Sequence, residues 1–241
     1  YCQLHDWSVQ HLAEFWDLMI QRLDIHFRRN YSQVVDLSRG AESPQWLAGA
    51  ELNIAESCFQ APDEAPALVF QQEGLALETW TYKALHGLIN RVANGLVQAD
   101  FNPGDAIAIA MPMTAESVAI YLGLIRAGCV AVSIADSFAP DQIAKRIAIT
   151  DAKAIFTQDC IFRGGKVLPL YDKVVTAQSP RAVVLAAAEC RDVDLREGDL
   201  PWEDFLSAKT TFSSVMGNPA AHTNILFSSG TTGDPKAIPW T

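Results

Sequence analysis

Ile225-Leu-Phe-Ser-Ser-Gly-Thr-Thr-Gly-Asp-Pro-Lys236 joins an apolar strand to a hydroxyl- and glycine-rich loop that closes on a single lysine. These residue types in this order suit a polyphosphate. Gly230 and Gly233 permit positive φ angles and let backbone N–H groups approach an anion. Ser228, Ser229, Thr231 and Thr232 add rotatable hydroxyl donors, and Lys236 supplies a compact positive charge. A plain Gly/Ser/Thr linker has no need of a strand before it or of Pro235-Lys236 after it. The loop is not of the Walker A type, in which Lys-Ser or Lys-Thr opens a helix. Here Ala237 follows the lysine, while Pro235 removes an N–H and pushes Asp234 towards extended backbone. The Ala-Ile-Pro-Trp run from Ala237 reads as a second strand, so the loop is predicted to be the turn of a hairpin.

Working outward, the chain alternates between strands at 105–111, 129–134 and 153–157 and helices at 115–127 and 140–150. Alternation of this kind predicts an α/β fold with right-handed crossovers: a doubly wound parallel sheet with helices on both faces. Ahead of it, Ala67–Phe70 and Leu75–Thr81 flank Glu73-Gly74 as a β-hairpin, and Thr81 caps a helix running to about Gln98. Beyond it, Lys166–Thr176 and Ala182–Leu185 read as strands, Arg191–Asp199 as a solvated acidic loop, Trp202–Leu206 as a short helix, and Asn224–Phe227 as the strand entering the loop. In the N-terminal part, Leu12, Phe15, Trp16, Met19, Ile20 and Leu23 form one face of a helix over Trp7–Phe27 with Ser8 as its cap. That aromatic stripe reads as packing rather than as a cofactor platform. Short helices and loop are expected over 41–56, with Pro44 in a first turn. The division expected is an N-terminal helical extension over 1–60 and a main domain over 61–241.

With 241 residues, 49% of them apolar, the chain has ample material for a core. A net charge of −10 without a basic run argues against nucleic acid as a partner. The five cysteines, Cys2, Cys58, Cys129, Cys160 and Cys190, are widely spaced without a Cys-x-x-Cys pair. They read as reduced packing residues of an intracellular protein, not as a disulfide framework or a metal site. The five histidines show no ligand spacing, and His222, just before the phosphate strand, reads as a loop residue. Ser117–Ala135 is apolar apart from Arg126, but Gly128 and the β-branched Val130, Val132 and Ile134 make it a buried helix followed by a buried strand, not a transmembrane segment.

Phe227-Ser-Ser-Gly-Thr-Thr-Gly-Asp-Pro-Lys236 resembles the phosphate loop of the adenylate-forming superfamily of acyl-CoA synthetases, luciferases and adenylation domains. Trp80–Leu85, Gly104–Ala110 and Arg126–Ser133 are similar to further blocks of that family. His5-Asp-Trp-Ser, Phe15-Trp16 and Leu52-Asn-Ile-Ala55 are similar to the N-terminal extension of its acetyl-CoA synthetase-like branch, and within it to plant peroxisomal acyl-activating enzymes. The resemblance implies that Ser228 to Lys236 hold ATP phosphates while a carboxylate is converted to an acyl-adenylate and then a thioester. MgATP, coenzyme A and a small carboxylic acid are the implied ligands. The family's adenine segment, ribose-binding aspartate, hinge and lid lysine have no counterpart before Thr241, and Lys236 is not that lysine. The expectation is an incomplete N-terminal domain, cut at both ends, with no catalytic residue of its own and no metal ligand, inactive in isolation. The implied compartment is the peroxisome, or otherwise the cytoplasm.

In acetyl-CoA synthetases an Arg-x-x-Arg segment after the strand resembling Ala154–Thr157 approaches the 3′-phosphate of coenzyme A. Arg163-Gly-Gly-Lys166 stands at the matching place, which makes Arg163 and Lys166 implied coenzyme A contacts; an ordinary charged turn is the plain alternative. Where the branch has Gly-Gly-Phe-Ser, this chain has Asp136-Ser137-Phe138-Ala139, adding a negative charge beside a phosphate-rich ligand. A ligase that loads a carrier protein, and a non-catalytic fragment acting through protein contacts, are the other readings.

Overall fold

The computed structural model describes residues 1–187, 193–228 and 233–241. The N-terminal part contains α1 (Cys2–Gln10), α2 (Leu12–Arg22), β1 (Gln33–Asp36), β2 (Gln45–Ala48) and a 3-10 turn at Ile54–Cys58. After it come β3 (Pro66–Gln71), β4 (Leu77–Thr81), α3 (Tyr82–Gln98), β5 (Ala106–Ala110), α4 (Ala115–Arg126), β6 (Val130–Ser133), α5 (Pro140–Thr150) and β7 (Ala154–Gln158). The remainder runs β8 (Cys160–Arg163), β9 (Lys166–Pro169), α6 (Tyr171–Thr176), β10 (Ala182–Leu185), β11 (Leu200–Pro201), α7 (Trp202–Phe205), β12 (Asn224–Ser228) and β13 (Lys236–Trp240).

A seven-stranded sheet in the order β11-β10-β7-β5-β6-β12-β13 organises the described residues. Its neighbours pair in parallel except for β12 with β13, which are antiparallel. Strand periodicity divides the core. Ile107, Ile109, Ala131, Ala154, Phe156 and Val183 face α3, α4 and α7, where Val92, Leu96, Ile120, Leu124, Trp202 and Phe205 pack on them. The alternate residues Ala108, Val132, Ile155 and Val184 face α5 and α6, meeting Ile143, Tyr171 and Val174. Both faces are covered, as the doubly wound expectation requires. Phe156, 1% exposed, meets the ring of Phe205 edge-on at 5.1 Å, and truncating such a side chain to alanine costs about 3–5 kcal/mol.

Local sequence accounts for most boundaries. Thr81 accepts from the Ala84 N–H at 3.2 Å as the α3 cap. Thr114 and Ser117 form a reciprocal capping box on α4, and Pro140 opens α5. At Gly123 a Cβ would lie 2.6 Å from Val92 Cγ1, so only glycine allows this approach of α4 to α3. Arg126, the charge in the apolar run, ends α4 with its guanidinium 2.7 Å from His86 Nε2 and 3.2 Å from the Phe212 carbonyl. Burial and the Arg126 charge push His86 below the usual imidazole range. Among the described residues no helix is long and apolar enough to cross a membrane.

Several expectations are corrected. The helix expected over Trp7–Phe27 is two helices divided at His11, and Ser8 lies inside α1, where its hydroxyl donates to the His5 carbonyl at 2.8 Å. The aromatic stripe packs only in part: no residue of α2 is buried, and Trp16, itself exposed, meets Trp46 edge-on at 5.7 Å. Of the short helices and loop expected over 41–56, only the start of the 3-10 turn at Ile54–Cys58 is helical; Gln45–Ala48 is β2, paired antiparallel with β1, and Pro44 precedes that strand. The strand expected over Lys166–Thr176 stops at Pro169; Tyr171 and Val174 are then buried by a helical turn. Cys2, Cys58 and Cys129 are free, but Cys160 is disulfide-bonded, against the reading of all five as reduced; Cys190 lies outside the described residues.

The acidic connection is a loop exposed at Val193, Asp194, Glu197 and Gly198, as expected, but its end is anchored. Arg191 and Asp192 lie outside the described residues, but Arg196 pairs with Asp199 at 2.8 Å and the Asp199 side chain is 2% exposed. Its second partners, Tyr171 Oη at 2.6 Å and the Ala182 N–H at 2.7 Å, come from α6 and β10.

Candidate functional site

Parallel strands place their carboxyl ends along one edge of the sheet, and ligands bind there in doubly wound folds, at the point where strand order reverses. In this chain the reversal follows β6. The chain steps from β5 to β6 on one side, then crosses to β7 on the other. Asp136–Phe138 follows the end of β6, the β8–β9 turn follows β7, and the phosphate loop follows β12. All three sequence-singled segments therefore leave the same edge of the sheet.

The expected hairpin is present. Ser228 is the register partner of Lys236, so the closing residues of the loop face each other across β12 and β13. The second strand, β13, pairs antiparallel with β12 as the last strand of the sheet. Ser229, Gly230, Thr231 and Thr232 lie outside the described residues. Gly233 has φ +129°, a conformation that favours glycine. Pro235 is buried and Lys236 exposed. Among the described residues Lys236 has no carboxylate partner within salt-bridge distance, unlike Lys145 and Lys153.

Two neighbours of the loop were missed in the sequence. Lys145 of α5 donates to Asp234 at 2.7 Å. That hydrogen bond and charge hold the Asp234 carboxyl below its ordinary range and raise the Lys145 ammonium. Arg146, 5% exposed, places its guanidinium 3.9 Å from the centroid of Phe138 and 5.2 Å from that of Phe227. α5 thus touches both limbs of the phosphate loop and, through Phe138, the segment after β6. An acidic residue inside a phosphate loop was the signal available for the first contact, since it needs a cation to offset it.

Arg163 and Lys166 are brought together as the register pair closing the β8–β9 hairpin. Gly164 and Gly165 have φ +60° and +71°, the double left-handed turn that twists with its strands and calls for glycine. Asp136 binds Arg163 instead of repelling a ligand from a distance: Arg163 Nη2 lies 2.7 Å from Asp136 Oδ2, and the carboxylate is only 14% exposed. The Asp136 hydrogen bond and charge raise the Arg163 guanidinium further. His222, exposed, lies elsewhere, on a groove of about 1040 Å³ at the opposite end of β12, lined also by Ile20, Tyr121, Val215 and Trp240.

A family described as AMP-binding enzyme matches residues 54–241, and one described as acetyl-coenzyme A synthetase N-terminus matches residues 1–58. The chain belongs to the AMP-binding enzyme family, in its acyl-activating, acetyl-CoA synthetase-like part. It is 43% identical to probable acyl-activating enzyme 18, peroxisomal, of Arabidopsis thaliana, over 97% of this chain and 34% of that protein. It is 38% identical to hexanoyl-CoA synthase of Cannabis sativa, over 100% of this chain and 36% of that protein. Acetoacetyl-CoA synthetase from Streptomyces lividans superposes with a TM-score of 0.89 at 28% identity, over 99% of this chain and 38% of that one. The chain spans about a third of the length of each of these relatives.

Proposed function

We propose that this chain is the N-terminal part of an ATP-dependent acid–thiol ligase that makes an acyl-adenylate and transfers the acyl group to coenzyme A. The β12–β13 hairpin carries the reading, with Ser228 opposite an exposed Lys236 at the carboxyl edge of a parallel sheet. Ser228 to Lys236 bind the pyrophosphoryl oxygens of MgATP. An acid carboxylate oxygen attacks the α-phosphorus, the bond to the bridging oxygen breaks, and pyrophosphate leaves with the electron pair. Lys236 offsets the charge growing on that leaving group. The thiolate of coenzyme A then attacks the acyl carbon and AMP departs. Arg163 and Lys166 hold the 3′-phosphate of coenzyme A. Residues 1–60 serve as an extension on the domain formed by 61–241, and the compartment is that named for the Arabidopsis relative, the peroxisome.

Adenylyl transfer depends on charges fixed on several sides of the reacting phosphate, and the chain supplies one side. The isolated chain is therefore inactive, while the longer ligase catalyses carboxylate-dependent exchange of labelled pyrophosphate into ATP. Lys236→Met in the longer ligase abolishes most of that exchange. Unchanged exchange in the variant refutes the role given to Lys236, and exchange by the isolated chain refutes its inactivity. The internal pairing of Arg163 with Asp136 favours a second reading, in which the acceptor is a carrier protein; failure of coenzyme A to discharge the adenylate would select it.

A further inference from the structure

The β8–β9 turn presents donors to an anion and already holds one. The N–H of Gly164 donates to Glu73 Oε2 at 2.8 Å and that of Gly165 to Glu73 Oε1 at 3.0 Å. The two successive N–H groups of this turn converge on one carboxylate, a concave nest that fits an anion with two or more oxygens. Arg163 and Lys166 flank the nest as the pair closing the turn. The nest and Arg163 are thus each satisfied by a carboxylate of the chain itself, Glu73 on one and Asp136 on the other.

We propose that Glu73 is a specificity-determining residue of the thiol-donor site: its carboxylate stands in the seat that a phosphomonoester group of the donor takes, and it must leave before that phosphate binds. The inference rests on the coenzyme A assignment above and adds to it the residue that competes with the ligand. The two carboxylates differ in how easily they yield. Asp136, 14% exposed, is fixed in the segment after β6, where its carbonyl also accepts from Lys173 at 3.0 Å. Glu73 is exposed and lies between β3 and β4, 91 residues from Gly164 in sequence. Its contact is made at the tip of a separate two-stranded hairpin and can break without disturbing the main sheet. A phosphate dianion brings more charge and a third acceptor oxygen than a carboxylate, so it displaces Glu73 when tethered there by the rest of the donor.

The test is the Michaelis constant of the full-length ligase for coenzyme A and for dephospho-coenzyme A in the thioester step, with pyrophosphate exchange as a control. Glu73→Gln and Glu73→Ala each remove the competing charge, and alanine also empties the nest should the amide stay in it. The expected result is a fall of about three- to tenfold for coenzyme A in at least one variant, with dephospho-coenzyme A and the exchange rate unmoved. Unchanged or raised values for coenzyme A in both variants, with wild-type preference for coenzyme A over dephospho-coenzyme A intact, overturn the role of Glu73 alone. If the wild type does not distinguish the two thiols and Arg163→Met changes neither value, the thiol-donor assignment fails and this inference with it.

Discussion

Replacing Asp199 with asparagine probes how the structure turns an acidic connection into a fixed strut. The carboxylate accepts from Arg196 Nε at 2.8 Å and Nη2 at 3.1 Å, from Tyr171 Oη at 2.6 Å and from the Ala182 N–H at 2.7 Å. Asparagine keeps the shape but offers one acceptor oxygen and turns an NH2 group towards donors. At least two of these bonds are lost, and the Arg196 charge loses its partner. Because the Arg196 side chain is 29% exposed, water partly replaces that partner, so the full penalty of a stranded charge does not apply. A loss of about 2–4 kcal/mol follows, or roughly 5–15 °C in Tm for a chain of this size. Urea and thermal unfolding followed by circular dichroism measure it. Burial alone would raise the Asp199 carboxyl, but hydrogen bonds from Arg196, Ala182 and Tyr171 hold it below the ordinary range. A depressed folded value means that this stabilisation is complete above about pH 4, the unfolded value, and fades as pH falls through the folded one. The gap between wild type and Asp199→Asn should therefore be constant near neutrality and shrink in acid. A loss below about 0.5 kcal/mol, or a gap that does not shrink in acid, refutes the reasoning.

Asn53 is 6% exposed and ties the N-terminal part to the main sheet domain, its Nδ2 donating to the carbonyls of Ile125 and Val215 at 2.8 Å each. Asn53→Ala leaves those buried acceptors unpaired and should cost about 2–3 kcal/mol in urea unfolding, with the 1–60 segment becoming sensitive to protease first. Lys145 and Asp234 form an exposed pair beside the phosphate loop. Lys145→Glu or Asp234→Lys alone should weaken MgATP binding by the full-length ligase roughly two- to fivefold, and the double reversal should restore it, as titration would show. A double variant no better than the worse single one removes the pair from the account.

How much of this was legible in the sequence depended on the range of the interactions involved. Pro235 after Asp234 rules out a helix there, and the β12–β13 hairpin follows from that local constraint. Thr81 as a cap and the strand-helix alternation from 105 to 158 were equally local, and the structure matches them to within a residue or two. The errors arose where distant partners decide. Gln45–Ala48 is a strand because Gln33–Asp36 lies beside it, and no periodicity within 41–56 records that. Asp199 looks like one more surface acid until Tyr171 and Ala182, 28 and 17 residues away, converge on it. At the site, the donors Arg163 and Lys166 stood out by type and spacing, and Asp136 by its departure from the family pattern. Lys145 and Glu73 did not, since Lys145 reaches Asp234 across 89 residues and Glu73 reaches Gly164 across 91.

The central claim is that the turn between Ser228 and Lys236 grips the phosphates of ATP. Equilibrium titration of the full-length ligase with MgATP and with AMP, in wild type and in Lys236→Met, tests it most directly. The account predicts tighter binding of MgATP than of AMP in the wild type, and a variant that loses about tenfold or more for MgATP while AMP binding stays the same. Equal losses for both nucleotides, or none for MgATP, would contradict it.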